Sequence, residues 1–132
     1  MFIGTCFCNF KCGAGNCQNT ELATGPIFDI DDDELITRYL QNPLTSAIVF
    51  GGLEPFDQYE ELKSFLSKLR SRGCVDPVVI YSGYTSEELE NKYISDPNLI
   101  VKVGRYIPNR PSRCDALLGV ELASDNQYAV RW

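Results

Sequence analysis

Four cysteines, Cys6, Cys8, Cys12 and Cys17, fall within twelve residues of a 132-residue chain, whereas Cys74 and Cys114 stand alone. A disulfide scaffold spreads its cysteines more evenly. In a chain that opens without an export signal, the reducing cytosol disfavours disulfides, and a tight cluster points to a metal site. Soft thiolates select an iron–sulfur cluster or zinc. Cys8-Asn9-Phe10-Lys11-Cys12 followed by Gly13-Ala14-Gly15-Asn16-Cys17 puts three thiolates within ten residues. Three ligands on a four-iron cubane leave one iron with a coordination position open to a substrate. Cys6 offers the rival arrangement, in which four thiolates make a closed cluster or a structural zinc site. A single residue separates Cys6 from Cys8, unlike the spacing of two to four residues in zinc knuckles. Cys74 and Cys114 read as buried or bystander thiols.

Composition narrows the chemistry further. The chain has no histidine, which removes Cys/His zinc patterns, Cys-His nucleophile pairs and Ser-His-Asp triads together. Twelve basic and eighteen acidic residues give a net charge of −6, the wrong sign for affinity gained by displacing counterions from phosphate, and argue against nucleic acid as the main partner. No apolar run approaches the roughly 20 residues of a membrane span, and Met1-Phe2-Ile3-Gly4 lacks the basic start of a signal peptide, so the expectation is a cytoplasmic protein.

The elements that must carry the cysteines are legible in outline. Phe2 to Thr5 is a short apolar strand running into the cysteine loop. An acidic run from Asp29 to Glu34 leads into Leu35, Ile36, Tyr39 and Leu40 at helical spacing. Ala47 to Phe50 is a strand closed by Gly51-Gly52. The clearest helix follows, with Asp57 as its cap, Tyr59, Leu62, Phe65, Leu66 and Leu69 as its buried stripe, and Gly73 as its stop. Val78 to Tyr81 is a strand closed by Ser82-Gly83. Thr85 to Glu88 is a capping box that predicts another helix, and Leu99 to Val103 is a strand ending at Gly104. The runs at 117–122 and 128–132 are expected to pair as edge strands. Strands alternating with helices imply an α/β fold: one small domain over residues 1–132, a partial (β/α) barrel or open, mostly parallel sheet with the cysteine loop after the first strand. Ligands of such sheets bind outside the carboxyl ends of the strands, where all four glycine-rich or cysteine-rich segments lie.

Cys8-Asn9-Phe10-Lys11-Cys12 resembles the start of the cluster motif of the radical SAM superfamily, whose cysteines are separated by three and then two residues. Here the second gap is four residues, Gly13 to Asn16. Gly51-Gly52-Leu53-Glu54-Pro55 resembles the glycine-glycine-acid-proline turn of that superfamily, with Leu53 inserted before the acid. Val79 to Tyr84, Val103 to Tyr106 and Ser124 to Gln127 are similar, in the same order, to segments of the activating proteins of anaerobic ribonucleotide reductase.

The resemblance implies a [4Fe-4S] cluster on Cys8, Cys12 and Cys17 and S-adenosyl-L-methionine as the second cofactor. It places Gly51, Gly52 and Glu54 at the amino group of that molecule, Ser82 at its ribose or carboxylate, and Asn126 with Gln127 at the closure of the site. The implied activity is that of a radical SAM oxidoreductase of the activase type, with no catalytic residue beyond the cluster. The implied partners are a glycyl-radical enzyme and an electron donor such as flavodoxin or ferredoxin. Two alternatives stand beside it: a radical SAM enzyme acting on a peptide or small molecule, and a non-enzymatic iron–sulfur or zinc module completed by Cys6.

Overall fold

Phe2–Thr5 (β1), Ile48–Gly52 (β2), Val78–Tyr81 (β3) and Leu99–Val103 (β4) lie side by side in parallel in a computed structural model that describes residues 1–17 and 19–132. A hairpin of Arg113–Asp115 (β5) and Val120–Leu122 (β6) follows, and Tyr128–Arg131 (β7) returns antiparallel to β4. The main sheet has the order β1-β2-β3-β4-β7 and is open, with no closure into a barrel. Its crossovers carry Thr20–Thr24 (α1), Asp32–Leu40 (α2) and Tyr59–Ser71 (α3). Among the described residues no helix is long and apolar enough to cross a membrane.

One face of the sheet makes the core. Ile48, Phe50, Val78, Ile80, Leu99 and Val101 point into it and meet Leu62, Phe65, Leu66 and Leu69 of α3. The spacing of those four α3 residues turns one apolar stripe toward the sheet, and Phe65 meets Phe50 edge to face at 5.2 Å. Glu60 and Glu61 lie at the positive end of α3 and Lys68 and Arg70 at its negative end, and Gly73, with a φ of 78°, ends it. Arg70 then ties the helix end to the neighbouring loops by bonding Asp96 at 2.8 Å and the carbonyls of Cys74 and Asp76 at 2.9 Å.

Three sequence expectations fail in instructive ways. Asp57 does not cap α3: Pro55–Gln58 winds as a 3-10 turn capped by Glu54, and Asp57 faces the cysteine loop instead. Thr85 and Glu88 do form their reciprocal bonds, at 3.0 and 3.4 Å, but the helix stops after one 3-10 turn, Glu87–Leu89. The two late runs do not pair with each other. β6 pairs with β5, while β7 takes the open edge of β4, where its hydrogen bonds have a ready ladder. Asp115 joins the two arrangements by accepting from the Leu117 and Leu118 amides at 3.0 Å and from Ala129 N of β7 at 2.9 Å.

The parallel register aligns the carboxyl ends of the strands, with Thr5 beside Gly52 and Tyr81 beside Lys102. Each following segment therefore emerges on one rim. Gly104 shows how closely the rim is packed: its φ is 98°, and a Cβ there would lie 2.9 Å from the Asn126 carbonyl oxygen and 3.2 Å from Gln127 Cα. Gly104→Ala should lower stability by about 2–4 kcal/mol in urea titrations, because both the backbone conformation and the backbone contact exclude a side chain.

Candidate metal centre and cofactor cavity

Each cysteine of the loop is half-buried, but the four do not share one environment. Cys8, Cys12 and Cys17 line a cavity of about 800 Å³ on the face of the sheet away from α3, together with Phe2, Gly51, Tyr81 and Lys102 of the strands and Val120 to Ala123 of the hairpin side. Cys6 is not among its lining residues. Its backbone amide and its thiol both donate to Gln58 Oε1, at 3.1 and 3.8 Å, which holds it against the turn after β2.

The extra residues between Cys12 and Cys17 are taken up by a left-handed Gly13, with a φ of 85°, and a 3-10 turn over Ala14–Asn16. Gly13 N donates to Phe10 O at 2.8 Å and Asn16 N to Gly13 O at 3.0 Å, folding the chain back between the two cysteines. Burial pushes the Cys8 thiol up in pKa, and burial followed by the neighbouring Cys17 does the same for Cys12. The Cys8 sulfur accepts from Phe10 N at 3.2 Å and the Cys17 sulfur from Asn19 N at 3.4 Å. Amide bonds of this kind stabilise thiolate ligands and tune a cluster's potential. Among the described residues, no three His, Cys, Asp or Glu side chains close about a point where a single ion would sit. A cubane instead sets one thiolate on each iron, so its ligands stand apart. An all-sulfur donor set with amide donors on two of its sulfurs fits an iron–sulfur cluster.

The glycine turn flanks the thiols. Gly52, with a φ of 94°, needs a residue without a Cβ, and a Cβ on Gly51 would lie 3.1 Å from the Phe2 ring. Thr5 Oγ1 donates to Gly51 O at 3.0 Å and Asn19 Nδ2 to Gly52 O at 2.7 Å. Gly51 O also faces Thr5 N in the β1–β2 ladder and is filled, whereas Gly52 O keeps a lone pair for a ligand. Glu54 also lines the cavity, yet its carboxylate is taken up within the protein. Oε1 accepts from Phe56 N at 3.2 Å and Ser82 Oγ at 2.8 Å, and Oε2 from Gly83 N at 2.8 Å. Burial raises its pKa, opposed by those three donors. Glu54 and Ser82 therefore staple the turns after β2 and β3 together. Asn126 lies in an adjoining recess of about 380 Å³ that shares Cys12, Gly104 and Arg105 with the main cavity, and its Nδ2 donates to Arg105 O at 2.8 Å.

Lys102 has no counterpart in the sequence reading. It is 7 % exposed, lines the cavity, and donates to the Ser82 and Gly104 carbonyls at 3.3 and 2.9 Å, with no ion-pair partner among the described residues. Burial pulls its pKa down to about 8. The available signal was one lysine inside the apolar strand Leu99–Val103.

The family described as a 4Fe-4S single cluster domain matches residues 2–115 of this chain. No curated protein and no solved structure matches it.

Proposed function

Because this chain belongs to the 4Fe-4S single cluster domain family, we propose that it carries its iron–sulfur cluster on Cys8, Cys12 and Cys17 and uses it as a radical SAM oxidoreductase, cleaving S-adenosylmethionine to activate a glycyl-radical enzyme such as anaerobic ribonucleotide reductase. The observation that supports this reading is the shared cavity: three thiols, a glycine turn and a buried lysine face one space of about 800 Å³ from which Cys6 is absent. A bound, reduced cluster would supply the single electron that breaks the carbon–sulfur bond of the sulfonium, giving methionine and a 5′-deoxyadenosyl radical.

The chain's own residues bind and orient. Cys8, Cys12 and Cys17 would hold the cluster, and the cavity beside them would take the amino and carboxylate groups of the methionine moiety. Gly52 offers its backbone carbonyl to an N–H of the amino group, and Gly51 keeps the approach clear of a side chain. Lys102 supplies positive charge to the carboxylate from within the sheet, and its unpaired state before binding favours an anion there. Ser82 and Glu54 hold the second turn rigid, and Asn126 with Gln127 closes the Gly104 side, where Gln127 Nε2 donates to Gly104 O at 3.2 Å. The reading places the protein in the reducing cytoplasm with a one-electron donor such as flavodoxin or ferredoxin.

Anaerobic reconstitution followed by iron and sulfide analysis, then incubation with S-adenosylmethionine and dithionite, tests it directly. The expected result is about four iron and four sulfide per chain and 5′-deoxyadenosine as product. Bound zinc without cleavage, or a full cluster that yields no 5′-deoxyadenosine, would overturn the reading.

A further inference from the structure

Between Cys8 and Cys12 the backbone is held in an unfavourable shape. Phe10 has a φ of 54°, in the left-handed region that a bulky side chain avoids. Such a residue persists only where its surroundings dictate the conformation. Here they do so through its neighbours. Asn9 N donates to Asp57 Oδ2 at 2.9 Å, and Asn9 Nδ2 donates to Asp57 Oδ1 at 3.3 Å and to the Tyr84 hydroxyl. The Tyr84 hydroxyl in turn donates to Asp57 Oδ1 at 2.5 Å. On the other side of Phe10, the Lys11 ammonium lies 4.6 Å from the centroid of the Tyr84 ring and 3.4 Å from Glu88 Oε1, and Arg105 Nη2 lies 2.6 Å from both Glu88 oxygens.

Tyr84 is thus met twice by the loop, at its hydroxyl by Asn9 and at its ring face by Lys11. It is itself fixed to the rim, being 6 % exposed, with its N–H donating to Ser82 Oγ at 3.0 Å and its carbonyl accepting from Gly104 N at 2.8 Å. We propose that Tyr84 is the positioning residue of the metal loop: with Asp57 and Lys11 it holds the Cys8–Cys12 segment in its ligand-ready shape before any cluster is present. This inference rests on the reading of Cys8 and Cys12 as ligands. A preformed site spares the cluster the work of ordering the loop, so loss of either contact to Tyr84 should appear as faster cluster loss, in the range of ten- to a hundredfold that supporting groups around metal ligands command.

The test uses the reconstituted full chain and follows iron release to an excess of chelator under anaerobic conditions. Tyr84→Phe keeps the ring and the Lys11 contact but loses the hydroxyl. Lys11→Met keeps the aliphatic stem but loses the charge. Each should release iron about tenfold faster than the native chain, with an altered electron paramagnetic resonance spectrum of the reduced cluster, while the apo chain melts cooperatively. Ile36→Val, a core change on α2 far from the loop, controls for general destabilisation and should release iron at the native rate. Native-rate release from both Tyr84→Phe and Lys11→Met, or equal acceleration by Ile36→Val, would overturn the inference. Cys8→Ala separates the two levels: if it keeps its iron, the ligand assignment fails and takes this inference with it. If it loses its iron while the Tyr84 and Lys11 variants behave as native, the positioning role alone fails.

Discussion

Cys8→Ala, Cys12→Ala and Cys17→Ala should each lose cluster loading and S-adenosylmethionine cleavage to the assay background, while Cys6→Ala retains both. With one of three thiolates gone, two irons lack a protein ligand, and nothing else among the described lining residues is a soft donor that could substitute. Cys6 differs in placement, not in chemistry. Its thiol is engaged with Gln58, and neither residue lines the cavity; alanine there forfeits one weak sulfur hydrogen bond, worth less than about 1 kcal/mol. Iron and sulfide content per chain is the primary measurement, because it reads ligation independently of turnover. A cluster that survives Cys8→Ala but not Cys6→Ala would reverse the assignment.

Lys102→Met should make the apo chain more stable and weaken the binding of S-adenosylmethionine to the loaded chain. An ordinary lysine holds its proton to about 10.5, whereas burial lowers Lys102 to about 8. Between those values the unfolded chain binds more protons than the folded one, so stability rises as pH rises through that window. Below it the cost of burying the charge is present in full, on the order of 3 kcal/mol. Methionine removes that cost but leaves the Ser82 carbonyl without the lysine donor, while Gly104 O still accepts from Gln127. The net expectation is a gain of about 1–2 kcal/mol at pH 7, together with loss of the upward slope between pH 8 and 10.5. Affinity for S-adenosylmethionine should fall ten- to a hundredfold, the weight of a hydrogen bond to a charged group. Thermal melts across pH and equilibrium binding to the reconstituted chain measure the two effects separately. A destabilised Lys102→Met would show that the buried ammonium serves the fold and would sink its assignment to a ligand.

Much of this site could be read in the chain before its geometry. Apolar runs that end in Gly51-Gly52, Ser82-Gly83 and Gly104 announce strands whose turns lie on one rim, because parallel strands present their carboxyl ends together. The cysteine spacing announced the metal. What escaped is what depends on how neighbouring segments compete for the same side chain. Asp57 satisfies the pattern of a helix cap, but the turn starting at Pro55 is capped by Glu54, and Asp57 is released to the loop. Glu88 completes its capping box and is also bound by Arg105, which holds its carboxyl down at about 2. Lys102 was hidden in an apolar run because hydrophobic periodicity treats a single charge as noise, when a charge in a strand buried on both faces is the informative residue.

The metal loop is fastened to the rim by residues far along the chain. Asp57, Tyr84 and Glu88 stand 48, 75 and 77 positions from the loop residues they hold. Parallel pairing needs each crossover to close first, and contacts of such separation form late and slowly. Until β2 and β3 have docked beside β1, the thiols of a newly made chain have no rim around them and are open to oxidation up the sulfenic and sulfinic ladder. The hazard to this protein is therefore greatest in its first moments, and the pace of strand pairing sets how long its cysteines must survive unprotected.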